Sequence, residues 1–113
     1  VDAVDIDEWA YENCRENIAA NGVADRINPV LGDSSWIVGR HYDYIFANIN
    51  RNILLADMPR YAAALTGRGE LYMSGILEGD VDTVQARAEE CGLQFDSARY
   101  ADGWAVMHCV KRQ

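Results

Sequence analysis

An aspartate closing a short apolar run just ahead of a helix is the feature of this chain with the clearest chemical use. Residues 1–7 read Val-Asp-Ala-Val-Asp-Ile-Asp and lead straight into a helical pattern. Asp5 therefore falls at the carboxyl end of a strand. A carboxylate placed there accepts hydrogen bonds from both hydroxyls of a ribose, as in many nucleotide-binding α/β folds. Helix capping is the plainer use of such an aspartate, and Asp7 is the better placed for it. A second apolar run, Tyr-Asp-Tyr-Ile-Phe-Ala-Asn at 42–48, ends in the amide of Asn48. Asparagine at a strand's end is either a turn former or a polar group held out to a ligand. Cys14, Cys91 and Cys109 have no paired or metal-type spacing, and His41 and His108 lack neighbouring ligands. Buried free thiols in a reducing cytoplasm are the ordinary reading of such cysteines, and a cytoplasmic location is expected.

Composition narrows the partners. With 113 residues, half of them apolar and 25% charged, the chain can bury a modest core within one domain. The net charge of −8, with no cluster of Lys or Arg, disfavours a surface that tracks nucleic-acid phosphates. It suits a small-molecule site or a basic protein partner. No apolar run approaches the roughly 20 residues that span a bilayer, so no membrane partner is expected.

The elements that must position Asp5 and Asn48 follow from periodicity and punctuation. Val1–Ile6 is predicted as a strand, and Glu8 to Ala20 as a helix capped by Asp7. Ala10, Cys14, Asn17 and Ile18 lie on its inner face, and Asn21-Gly22 stops it. Ile27 to Leu31 is a strand whose Pro29 points to a sheet edge, followed by the turn Gly32-Asp33-Ser34-Ser35. Residues 42–48 read as a buried parallel strand. The apolar face Leu54, Met58, Tyr61, Ala62 and Leu65 is helical, and Pro59 within it predicts two short helices, the second starting at the proline. Residues 66–69 form a turn, Glu70 to Ser74 a strand, and Asp80 to Cys91 a helix ended by Gly92. Leu93–Tyr100 and Trp104–Lys111 form a hairpin around Asp102-Gly103. The fold class is α/β, mostly parallel, with one antiparallel strand near the end.

These elements carry a more specific likeness. Helix-flanked parallel strands ending in a hairpin are the pattern of class I methyltransferases that use S-adenosylmethionine. Within that class the chain resembles the ribosomal protein L-eleven methyltransferase family. The matching residues are Asp5-Ile6-Asp7, Arg15-Glu16-Asn17, Asn21-Gly22, Gly32-Asp33, Tyr42-Asp43 and Phe46-Ala47-Asn48-Ile49. Gly67, Gly69, Ser74-Gly75-Ile76-Leu77 and Gly103-Trp104 complete the series. Asn50-Arg51 stands where the family continues with more apolar residues, and Asp102-Gly103-Trp104 replaces its Gly-Glu-Trp. The resemblance implies a Rossmann-like sheet and an enzyme that methylates amino groups of a ribosomal protein. A class I methyltransferase for another protein or a small molecule, and an inactive scaffold, are the alternatives. The terminal hairpin and Ala47-Asn48-Ile49 argue against an NAD-dependent oxidoreductase.

The resemblance also implies site residues. Asp5 would clamp the ribose and Ile6 would contact the adenine face. Asp33, with Ser34 beside it, would receive the adenine amino group, although a turn-forming Gly-Asp looks identical. Asn48 would serve both the cofactor and catalysis, orienting the N–H groups of the acceptor amine. Ser74 and Gly75 would lie near the opposite lip. Trp36 could line the adenine pocket or cover the sheet edge. Glu78, Asp80 and Asp82 read as a solvated helix start and not as a metal site.

Residues 1–113 are thus expected to form the C-terminal part of a methyltransferase domain, without its first strand and Gly-rich loop. That strand would lie between the strands ending at Asp5 and Asn48. Each buried backbone group it leaves unmet costs about 1–3 kcal/mol, against a typical net stability of about 5–15 kcal/mol. Self-association through exposed strand edges, or pairing with upstream sequence, would satisfy them. The segment alone is expected to bind S-adenosylmethionine weakly and to be inactive.

Overall fold

The computed structural model describes residues 2–5, 8–22, 28–48 and 50–112. It divides into two compact units, residues 1–36 and 37–113.

In the first unit, strand β1 (Asp2–Asp5) pairs in parallel with β2 (Asn28–Leu31), with helix α1 (Glu8–Ala20) between them in sequence. The register runs from Asp2 opposite Asn28 to Asp5 opposite Leu31. Among the described residues β2 pairs with β1 alone, an edge position of the kind that tolerates Pro29. From α1, Ile18 is buried and Cys14 half-buried. Asn17, expected on the inner face, is exposed instead, as its amide favours. The helix ends where Gly22 adopts φ +67°, the left-handed conformation that costs glycine nothing. Val1, Ile6, Asp7 and Ile27 lie outside the described residues, so the cap assigned to Asp7 does too.

The second unit is built on a four-stranded sheet of order β3-β4-β6-β5. Its strands are β3 (Tyr42–Asn48), β4 (Leu65–Leu77), β5 (Leu93–Ala101) and β6 (Trp104–Lys111). β3 and β4 run parallel, while β4/β6 and β5/β6 are antiparallel, so the sheet is mixed. Helices α2 (Arg51–Ala64) and α3 (Val81–Glu90) contribute Leu54, Met58, Val81, Val84 and Ala88 to the core. The sheet's buried face supplies Ala47, Leu71, Met73, Ile76, Met107 and Cys109. Alternate residues point the other way, the period-2 consequence of the pleat. Tyr44 and Phe46 are 60% and 76% exposed. The strand expected to be buried is therefore covered on its Ala47 side only, and among the described residues it pairs with β4 alone.

Two further expectations are corrected. Residues 51–64 form one helix with Pro59 inside it, not two. Proline has no N–H for the carbonyl four residues back, and Arg87 Nε of α3 donates to that carbonyl, Leu55 O, at 3.0 Å. A neighbouring helix supplies the donor that the proline lacks, and the helix runs through. Strand β4 also reaches beyond 70–74 at both ends. The turn at 66–69 survives as a bulge inside it, since Tyr42 faces Leu65 but Tyr44 faces Glu70. Gly69 is required there, because a Cβ would stand 2.8 Å from Thr66 O. The hairpin turn follows the reading from sequence, with Asp102 at φ 52° and Gly103 at φ 82°, the signs of a type I′ turn.

Candidate active site

In open α/β sheets, ligands gather outside the carboxyl ends of the parallel strands. Asp5 ends β1 and Asn48 ends β3, so each expected residue occupies such an end.

In the first unit, the segment after β2 turns on Asp33. Its Oδ1 accepts from the backbone N–H of Ser35 at 2.8 Å, and its carbonyl accepts from Trp36 N at 3.2 Å. These bonds start a short 3-10 helix at Ser34–Ile37, in which Ser34 is half-buried. The turn-forming use of Asp33 is therefore realised, and its carboxylate remains exposed at the surface. Ile6 lies outside the described residues.

In the second unit, Asn48 is exposed and pairs across the ladder with Ser74. β4 bulges at this point. Met73 faces Met107 and Ile76 faces Ala105, so Ser74 and Gly75 share the space opposite one residue, Val106. Gly75 takes φ +75°. A Cβ built on it would stand 2.5 Å from Asn48 Oδ1. The Asn48 amide thus occupies the volume that a side chain at position 75 would need. A cavity of about 200 Å³ opens beside this pair, lined by Asn48, Ser74, Phe46, Tyr72 and Val106 among others.

The residues after Asn48 begin α2. Asn50 Oδ1 accepts from Asn52 N at 2.8 Å and Asn50 O from Leu54 N at 2.9 Å, which makes Asn50 the N-cap. Arg51 pairs with Asp80 at 2.9 Å. The polar dipeptide that departs from the family's apolar continuation is thus a helix start, and Asp80 is engaged by a guanidinium.

The open face of the sheet holds an arrangement that sequence reading missed. Phe46, Tyr72 and His108 occupy adjoining register positions on β3, β4 and β6. Their rings stack at centroid separations of 5.1 Å and 4.4 Å, nearly parallel in both cases. His108 Nε2 lies 2.8 Å from Glu70 Oε1, and Nδ1 lies 2.9 Å from Asp96 Oδ2. Asp96 reaches it because β5 bulges there, Phe95 facing Cys109 and Ser97 facing His108. The loss of water around the Tyr72 phenol, followed by the charge of Glu70, raises its pKa above the ordinary 10. Period-2 alternation in three strands could have revealed the stack, but only once their register was known.

Solved structures share this topology. A SAM-dependent O-methyltransferase from Thermotoga maritima superposes with a TM-score of 0.84 at 13% identity, covering 100% of this chain and 50% of that one. The crystal structure of ribosomal protein L11 methylase from Lactobacillus delbrueckii subsp. bulgaricus gives a TM-score of 0.86 at 26% identity, covering 100% and 58%. The fold is accordingly that of the class I S-adenosylmethionine-dependent methyltransferases. Sequence comparison goes further. The family model for ribosomal protein L11 methyltransferase (PrmA) matches residues 1–112. Ribosomal protein L11 methyltransferase of Phocaeicola vulgatus is 41% identical over 113 residues, 99% of this chain and 40% of that protein. Its counterpart in Bacteroides thetaiotaomicron is 45% identical over 106 residues, 93% and 38% respectively. The chain belongs to the ribosomal protein L11 methyltransferase (PrmA) family. It spans about two fifths of the length of these curated relatives.

Proposed function

We propose that the protein carrying this chain transfers methyl groups from S-adenosylmethionine to amino nitrogens of the ribosomal protein L11. The observation that carries this reading is the family match over residues 1–112. The relatives named for that activity lend it further support. The residues present fit such a cofactor. An exposed amide stands at a carboxyl strand end, against a glycine whose missing side chain leaves room for it. An aspartate ends β1 at the equivalent position of its own ladder.

Bound S-adenosylmethionine supplies a methyl group already activated by the positive sulfur to which it is attached. The protein's work is then positioning, and each residue's part follows from its chemistry. The Asp5 carboxylate would accept from two ribose hydroxyls, and charge-assisted bonds of this kind are the stronger ones. Ile6, by its chemistry, would suit the adenine face. Asp33, already accepting from Ser35 N, would also accept from the adenine amino group, with Ser34 beside it. Asn48 Oδ1 would accept from an N–H of the neutral amine and so orient its nitrogen. Residues 1–113 by themselves bind cofactor weakly and associate through strand edges. The acidic surface suits a basic protein substrate.

Mass spectrometry of purified L11, incubated with S-adenosylmethionine and a full-length protein carrying this chain, tests the reading. Mass gains of whole methyl groups, located on amino nitrogens, are expected. An unmodified L11 beside a methylated alternative substrate would replace the proposal with another class I methyltransferase activity.

A further inference from the structure

We infer that Gly75 is a positioning residue for the reaction, a side-chain-free seat that sets the direction of the Asn48 amide; the inference rests on the reading of Asn48 given above. Two independent demands fall on this one position. The bulge opposite Val106 puts Gly75 at φ +75°, where an L side chain is strained. Separately, any Cβ there would stand 2.5 Å from Asn48 Oδ1, far inside van der Waals contact. The first demand is shared with other glycines. Gly92 has φ +86°, yet a Cβ on it would meet nothing within 4 Å. Only at position 75, among these two, does the side chain's absence bear on a candidate catalytic group.

The collision has a cheap escape, and that escape is what matters for function. Asn48 Oδ1 is the tip of a short, exposed side chain, so the amide can rotate away at little cost in stability. Rotation swings the oxygen off the direction in which it accepts the amine's N–H. A substitution at 75 therefore removes catalytic alignment beyond the ordinary backbone strain. Misplacement by about 1 Å is enough to cost on the order of 100-fold in rate. The bulge in β4 is accordingly a device that lets the backbone pass beneath the amide without touching it.

The test compares Gly75→Ala with Gly92→Ala in a full-length protein carrying this chain. Both carry the left-handed strain, and only the first collides with the amide. Three readouts are taken: thermal midpoint, kcat and KM for methyl transfer, and the side-chain amide resonance of Asn48, assigned by its disappearance in Asn48→Ala. Gly75→Ala is expected to lower kcat about 10–100-fold with a smaller change in the cofactor's KM. It should also shift the Asn48 amide resonance and lower the midpoint about as much as Gly92→Ala. Gly92→Ala should keep native kcat and an unmoved resonance. Native kcat or an unmoved amide resonance in Gly75→Ala would overturn the inference. Native kcat in Asn48→Ala would instead overturn the reading of the reaction on which it stands, so the two failures are told apart.

Discussion

Arg87 Nε donates to the carbonyl oxygen of Leu55 at 3.0 Å, and that carbonyl is the one Pro59 leaves without its helical partner. The bond ties α3 to the middle of α2, and it is why a proline inside the helix does not break it. The same guanidinium also pairs with Glu90 at 3.2 Å on its own helix. Arg87→Ala should therefore cost about 1–2 kcal/mol of stability, as a charged donor leaves a half-buried acceptor. Pro59→Ala restores the backbone donor, so Arg87→Ala should cost clearly less in that background. Chemical denaturation of the four proteins in the cycle measures the coupling. Equal costs in both backgrounds would show that Arg87 acts through Glu90 or its alkyl stem instead.

Alkaline stability should be set by two buried groups. Cys109 is fully buried, and burial, followed by the charges of Glu89 and Asp96, pushes its thiol up to about 11 from 9.0. Tyr61 is pushed up to about 12 from 10.0 by burial and then by Asp57. Both are neutral when folded, and ionisation comes first in the unfolded chain. The stabilisation is thus complete below the unfolded values and drains away as pH rises through the folded ones. Stability should begin to fall near pH 9 as the unfolded-state thiol ionises, and fall more steeply above pH 10. Each group contributes a slope of about 1.4 kcal/mol per pH unit. Cys109→Ala should lower stability overall but remove the first part of the decline. Denaturant midpoints measured from pH 8 to pH 11 check this, and an unchanged slope in the variant would contradict it.

The ribose role of Asp5 carries its own outcome. Asp5→Ala should raise the cofactor's KM about 10–100-fold, the loss of one or two charge-assisted bonds. Its kcat at saturating cofactor should change far less, because the reacting centre is not touched. Asp5→Asn should fall between the two, retaining one acceptor. A KM unchanged in both variants would assign the carboxylate to the strand end alone.

How much of this was readable in advance depends on how local each determinant is. The helix at 8–20, the hairpin at Asp102-Gly103 and the strand ending at Asn48 are written in short windows of periodicity and turn chemistry. Reading Pro59 as a break failed because its compensation comes from Arg87, a residue on another element. The length of β4 was hidden by its two bulges, where Arg68 and Gly75 take positive φ. Local punctuation at 66–69 is real, yet the ladder with β3 resumes beyond it. The stack of Phe46, Tyr72 and His108 is invisible without register, and Asp96 reaches His108 only because β5 slips by one residue. For the site, residue types suggested Asp5 and Asn48. The role of Gly75 needed the distance to the Asn48 amide.

The most direct measurement is the steady-state kinetics of methyl transfer to L11 by a full-length protein carrying this chain, native against Asn48→Ala. Because Asn48 is assigned to aligning the amine as well as to the cofactor, kcat should fall about 100-fold or more, with thermal stability little changed. An Asn48→Ala protein that methylates L11 at the native rate would contradict the account.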